Sequence, residues 1–141
     1  MQRPSTFDFR LGLIGYPLGH SLSPKIHAAA LKACSLQGDY SLFPIHPDDK
    51  QSLKDLLDRV RSGEITGLNV TIPHKQNVIE FMDELTPTAQ AIGAVNTIYL
   101  EDNKLVGDNT DVLGFLRDLH LFIAVSDSEI EKNDSAIVLG A

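Results

Sequence analysis

The 141-residue sequence predicts an α/β domain built on a mostly parallel sheet. Three observations carry this expectation. Short apolar strand patterns alternate with helical patterns along the chain, and glycine or proline stands at most junctions. A single tight turn, Glu101-Asp102-Asn103, separates two strand patterns, which predicts one hairpin in a sheet otherwise joined by crossovers.

Taken in order, Leu11 to Gly15 reads as a short buried strand running into the turn YPLGHSLSP. Ser23 followed by Pro24 reads as an N-cap with proline at the first helical position. Ile26, Ala29, Ala30 and Ala33 then recur at helical spacing. A second strand, Tyr40 to Ile45, precedes an amphipathic helix from Asp48 to Ser62, whose apolar face is Leu53, Leu56, Leu57 and Val60 and whose stop is Gly63. The third strand, Gly67 to Ile72, alternates Leu68, Val70 and Ile72 with Asn69 and Thr71, and Pro73 opens a helix through Val78, Ile79 and Met82. Thr86-Pro87 starts a short helix with Ala89 and Ile92 inward, ended by Gly93. The hairpin follows, from AVNTIYL to a return strand over Lys104 to Val106. Asp111 then stands near the start of a helix with Leu113, Leu116 and Leu119 in phase. From His120 to Asp134 the composition turns polar and acidic, which reads as a linker, and SAIVLGA reads as a final strand.

Composition narrows the functional classes. A hydrophobic content of 43% supports a sizeable core, and a formal net charge of −7 argues against a general nucleic-acid binder. A small anionic ligand in a locally positive pocket stays compatible with that charge. Cys34 alone offers no intrachain disulfide and no cysteine-rich zinc site, and reads as a small buried hydrophobe on a helix. No apolar h-region opens the sequence and no stretch reaches the roughly 18 apolar residues of a membrane span, so a soluble protein of a reducing compartment is expected. His20, His27, His46, His74 and His120 do not make metal-ligand spacing, so no metal site is expected. His74 reads as structural, or as support for a neighbouring group.

Two stretches could carry chemistry. The turn from Gly15 to Ser21 falls one residue short of P-loop spacing and is not G-x-G-x-x-G. It admits three readings: a phosphate loop, a structural turn, or a small-anion site in which Ser21, Ser23 and backbone N–H groups receive a carboxylate. The stretch GLNVTIPHK places Lys75 at a helix N-terminus, where a cation is electrostatically out of place. A lysine transfers protons usefully when its surroundings bring it toward the working pH, and a carboxylate such as Asp111 would hold the ammonium in position. Asn69, Thr71 and Asn96 offer neutral hydrogen-bonding groups suited to a polyhydroxylated ligand. On pattern alone, a surface lysine with an unrelated aspartate is the more common arrangement.

The linked motifs GYPLGHSLSPKIHAAAL, GLNVTIPHK, AIGAVNTI and GDNTDVLGF, in this order and spacing, resemble shikimate dehydrogenase over essentially the whole chain. The resemblance reverses the odds against Lys75. It implies a three-layer α/β/α substrate domain and, for the parent enzyme, NADP-dependent interconversion of 3-dehydroshikimate and shikimate in the cytoplasm. Ser21 and Ser23 would hold the substrate carboxylate. Asn69, Thr71, Lys75, Asn96 and Asp111 would bind the ring hydroxyls, with Lys75 and Asp111 catalytic. The implied organisation is a substrate-binding domain over 1–119, a linker over 120–134, and the first strand of a dinucleotide-binding domain over 135–141. Gly140 and Ala141 would begin that domain's glycine loop, so the fragment alone is expected to be inactive. The family's C-terminal segment, which returns to the substrate domain, would also be missing. Val112 departs from the glycine that commonly follows Asn-Thr-Asp in the family. The implied partner is a small molecule, with no nucleic acid and no membrane, in a monomer or homodimer. Two alternatives stand beside this reading: a quinate/shikimate dehydrogenase, and a non-catalytic shikimate-binding module.

Overall fold

A computed structural model describes residues 8–125, and the chain divides after Asn109 into two units, each described by itself. The first unit runs β1 (Phe9–Gly15), α1 (Ser23–Ala33), β2 (Gly38–Pro44), α2 (Lys50–Arg61), β3 (Gly67–Val70), α3 (His74–Asn77), β4 (Glu84–Leu85), α4 (Pro87–Ile92), β5 (Thr97–Glu101) and β6 (Lys104–Asp108). The strands form one six-stranded sheet in the order β2-β1-β3-β5-β6-β4. β1 pairs in parallel with β2 and β3, and β4 in parallel with β6, while β5 runs antiparallel to both its neighbours. The expected mostly parallel sheet with one antiparallel hairpin strand is therefore present. Asp102 and Asn103 at φ 49° and 62° make the hairpin turn, a left-handed pair of the kind that matches strand twist.

Strand alternation separates the two faces of the sheet. Ile14, Leu68, Val70 and Ile98 point to one face and meet Leu53, Leu56, Leu57 and Val60 of α2, all buried. This is the core, and α2 carries the apolar face its sequence predicts. Asp49 caps the helix by accepting from the Ser52 N–H at 3.0 Å. α1 lies on the other face, where His27 stacks on Tyr40 of β2.

Several local expectations are corrected. Ser23 is the first residue of α1 rather than its N-cap; Leu22 takes the cap position, and the Ser21 hydroxyl accepts from the Ser23 N–H at 3.2 Å. Ile26, Ala29, Ala30 and Ala33 are exposed, and the inward line of α1 is Ser23, His27 and Leu31, spaced four apart. Cys34 is exposed at the end of that helix. β3 ends at Val70, because Thr71 and Ile72 bend into a turn closed by the His74 N–H on the Thr71 carbonyl. The helix after Pro73 is one turn, followed by a 3₁₀ turn over Ile79–Phe81. In α4, Ala89 is buried but Ile92 is 53% exposed, since the helix stops there at Gly93 with φ 69°. The two-residue strand β4, parallel to the end of β6, was not anticipated.

The second unit contains α5 (Asp111–Val125). It begins at Asp111 as expected but continues into the stretch read as a linker, because Leu121, Phe122, Ile123 and Ala124 sustain a helix-compatible apolar run. Within it Leu113 and Leu116 are exposed and Leu119 is half-buried. The strand expected over 135–139, and with it Gly140 and Ala141, lies outside the described residues.

Candidate functional site

The first unit brings Ser21, Ser23 and Thr71 to one hollow of about 350 Å³, which Leu13, Leu18 and His20 also line. Two turns meet there. The β1–α1 turn contains a cis Tyr16–Pro17 bond, and the β3–α3 turn a cis Ile72–Pro73 bond. The Tyr16 N–H donates to the Ile72 carbonyl at 3.0 Å and the Thr71 N–H to the Ile14 carbonyl at 2.8 Å, so the turns are tied to each other. Gly15 permits the approach: a Cβ there would lie 2.5 Å from the Thr71 methyl and 2.7 Å from Leu18.

Asn69, two residues before Thr71, stands on the sheet face that also carries Leu13 and Leu42. Its Oδ1 accepts from the Tyr40 hydroxyl at 2.9 Å, and its Nδ2 lies 3.5 Å from the Asn96 carbonyl. Asn96 is 8% exposed and firmly held: its carbonyl accepts from the Val70 N–H, its N–H donates to the Asp108 carbonyl, and its Oδ1 accepts from the Thr97 hydroxyl at 2.9 Å. Burial pushes the Tyr40 phenol up to about 12, against a hydrogen bond with Ser23 that lowers it.

Lys75 is half-buried on α3. Its carbonyl accepts from the Val95 N–H at 2.7 Å, fastening the turn to the segment before β5. His74 beside it is 1% exposed, and its Nε2 lies 2.7 Å from the Ile45 carbonyl. A carbonyl only accepts, so Nε2 carries a proton, and Nδ1 is buried without a partner among the described residues. His74 is thus an anchor between α3 and the end of β2, as a structural reading requires. A one-turn helix has a small dipole, so the electrostatic misfit expected for Lys75 is weaker than the sequence suggests.

The first unit ends at Asn109, which is 3% exposed, with its Nδ2 donating to the Ala94 carbonyl at 3.0 Å. Asp111 opens α5 of the second unit. The structure thus gathers Ser21, Ser23 and Thr71 around one hollow, with Asn69 and Asn96 along the adjoining strands and Lys75 on the turn that follows. Tyr40 and Asn109 were missed by sequence reasoning. Strand alternation could have placed Tyr40 on the face of β2 that bears Leu42; Asn109 gave no comparable signal.

Among the described residues no G-x-G-x-x-G turn follows a strand. Nor do three or more His, Cys, Asp or Glu side chains converge there on a potential metal site. No helix of the described residues is long and apolar enough to cross a membrane.

Comparison with known proteins agrees with this geometry. The family described as shikimate dehydrogenase substrate binding domain matches residues 13–98, more than half of the chain. A relative from Dictyoglomus thermophilum named shikimate dehydrogenase (NADP(+)) is 45% identical over 141 residues, all of this chain and 47% of its own length. The chain thus spans about half the length of the curated relatives it matches. Shikimate dehydrogenase from Aquifex aeolicus superposes with a TM-score of 0.74 at 38% identity, over 83% of this chain and 43% of that one. Shikimate 5-dehydrogenase from Thermus thermophilus, solved with NADP(H) and shikimate, gives 0.72 at 38%, over 81% and 42%. The fold, the paired turns and these matches together place the chain in the shikimate dehydrogenase substrate-binding domain family.

Proposed function

We propose that this chain is the substrate half of an NADP-dependent shikimate dehydrogenase that interconverts 3-dehydroshikimate and shikimate in the cytoplasm. The observation that carries the reading is the row of hydroxyl and amide groups, Ser21, Ser23, Thr71 and Asn69, beside a turn bearing Lys75. Such a row suits a ring with a carboxylate at one end and hydroxyls along its edge.

In this mechanism Ser21 and Ser23 receive the carboxylate, and Asn69, Thr71 and Asn96 engage the ring hydroxyls. The Lys75 ammonium gives its proton to the ketone oxygen as that oxygen becomes a hydroxyl, and takes it back in the reverse direction. Asp111 orients the ammonium and the same hydroxyl. NADP, when bound to the intact protein, supplies or accepts the hydride. Residues 1–119 serve as the substrate domain; 120–134, which α5 enters as far as Val125, connect it to 135–141, the first strand of the cofactor domain, with Gly140 and Ala141 opening its loop. The intact protein acts as a monomer or homodimer.

The experiment pairs the 141-residue chain with the full-length protein. The chain should bind shikimate weakly and saturably by calorimetry, lose that binding on Asp111→Ala, and reduce no NADP. In the full-length protein, Lys75→Ala should lower kcat by about 10²–10⁴-fold, the usual range for losing a general acid–base group. Retention of most of kcat would remove Lys75 from the mechanism. A kcat/KM for quinate equal to that for shikimate would favour the dual-specificity alternative. Shikimate binding without NADP-linked turnover of the full-length protein would favour a non-catalytic binding module.

A further inference from the structure

Tyr40 connects two groups of the site that come from different elements. In the sheet register, Tyr40 of β2, Leu11 of β1 and Gly67 of β3 lie side by side, with Leu42, Leu13 and Asn69 two residues further along. All six share one face. β2 and β3 flank β1, so they stand about 9.5 Å apart, two interstrand spacings. A tyrosine and an asparagine reaching toward each other over β1 close that gap, and the Tyr40 hydroxyl donates to Asn69 Oδ1 at 2.9 Å.

The ring is held over the sheet by His27 of α1, stacked at 4.1 Å between centroids and 13° between planes. Ser23, one helical turn before His27, is near enough to act on the Tyr40 phenol. A hydroxyl has one proton, and an amide oxygen can only accept. The Tyr40 proton is therefore spent on Asn69. Because burial keeps the phenol protonated up to about 12, this donor persists throughout the physiological range.

We propose that Tyr40 is a positioning residue of the site, its hydroxyl holding the Asn69 amide with Nδ2 as the group offered to ligand oxygens. The inference rests on the substrate reading above for its ligand, but not for the arrangement itself. With Oδ1 already engaged, Asn69 meets a ligand as a donor. Tyr40 touches no reacting atom in this scheme and acts through Asn69.

Tyr40→Phe tests this, because it removes the hydroxyl and keeps the ring against His27. In the ligand-free 141-residue chain, NMR should show the Asn69 side-chain amide losing order and exchanging faster, with the backbone amides of β2 and β3 unchanged. An Asn69 amide that stays as ordered as in wild type would overturn the proposal, as would a Tyr40→Phe chain that fails to fold. With shikimate as the probe, Tyr40→Phe should weaken binding about tenfold, the scale of one hydrogen bond. Combined with Asn69→Ala, it should add far less than tenfold, because its effect passes largely through Asn69. Fully additive losses, or an unchanged affinity for Tyr40→Phe, would overturn it. A wild-type chain that binds no shikimate would count against the substrate reading, while the amide measurement still decides the role of Tyr40.

Discussion

The two faces of the sheet are built from the same strands and serve different ends. On one, α2 lays Leu53, Leu56, Leu57 and Val60, none more than 4% exposed, against Ile14, Leu68, Val70 and Ile98. Its charged groups pair at the rim, as in Lys54 with Asp58 and Arg59 with Glu64. On the other, α1 turns Ser23 and His27 toward Tyr40 while Leu22 and Ile26 stay 62% exposed. The four residues of β3 divide between the two, Leu68 and Val70 to the core and Asn69 to the site. The alternation of a strand thus lets one segment stabilise the fold and furnish the proposed site through separate side chains. Substitutions on the two faces should accordingly separate into losses of stability and losses of binding.

The largest effect should come from the core face. Leu57→Ala, at a residue 1% exposed, should cost about 2–5 kcal/mol in urea unfolding through lost transfer energy and a residual cavity. The molecules that remain folded should bind shikimate as wild type does. A large fall in their affinity would show that the faces are not independent. Gly15→Ala is next, and it probes the place where the faces share a backbone. Its Cβ would press on the Thr71 methyl and Leu18, with an expected cost of about 1–3 kcal/mol for overpacking. Because Thr71 must give way, affinity should fall together with stability. A stability loss with unchanged affinity would mean that the contact between the two turns does not set the site.

The core face was legible in the sequence and the site face only in part, for a physical reason. α2 follows a 3.6-residue apolar period set against charges, and large aliphatic residues make that period decisive. In α1 the expected line of Ile26 with three alanines carries little hydrophobic weight, so it did not decide which side faced the sheet. What Tyr40 and Asn69 offered across the gap did, drawing in Ser23 and His27. Ser21, Ser23 and Thr71 could be named from their positions at turns, and they do surround one hollow. Tyr40 escaped notice because its role depends on a neighbour two strands away, and register across a crossover is not written in local pattern. β4 escaped because two residues leave no period to read.

The smallest effect at neutral pH, and the sharpest separation of the faces, belongs to Asp83. Arg61 at the end of α2 forks onto its carboxylate, Nη1 to Oδ2 at 2.5 Å and Nη2 to Oδ1 at 3.2 Å, and also donates to the Phe81 carbonyl. The Leu105 N–H of β6 donates to the same carboxylate at 2.7 Å. The Arg61 guanidinium, followed by that N–H, holds the Asp83 carboxyl below its ordinary value. A carboxylate whose folded-state pKa is depressed contributes its full stability above the unfolded-state value, about 3.9, and loses it as pH falls through the lower folded-state value. Exposure to solvent keeps that contribution small. Asp83→Asn retains an acceptor for Leu105 and removes the charge. Its thermal unfolding midpoint should therefore fall less steeply than that of wild type as pH drops below about 4, while shikimate affinity at neutral pH stays unchanged. Parallel acid limbs for the two proteins would mean that the clamp stabilises through geometry alone. A change in affinity would mean that the clamp between α2 and the β6 edge reaches the site on the opposite face, against the separation that strand alternation imposes.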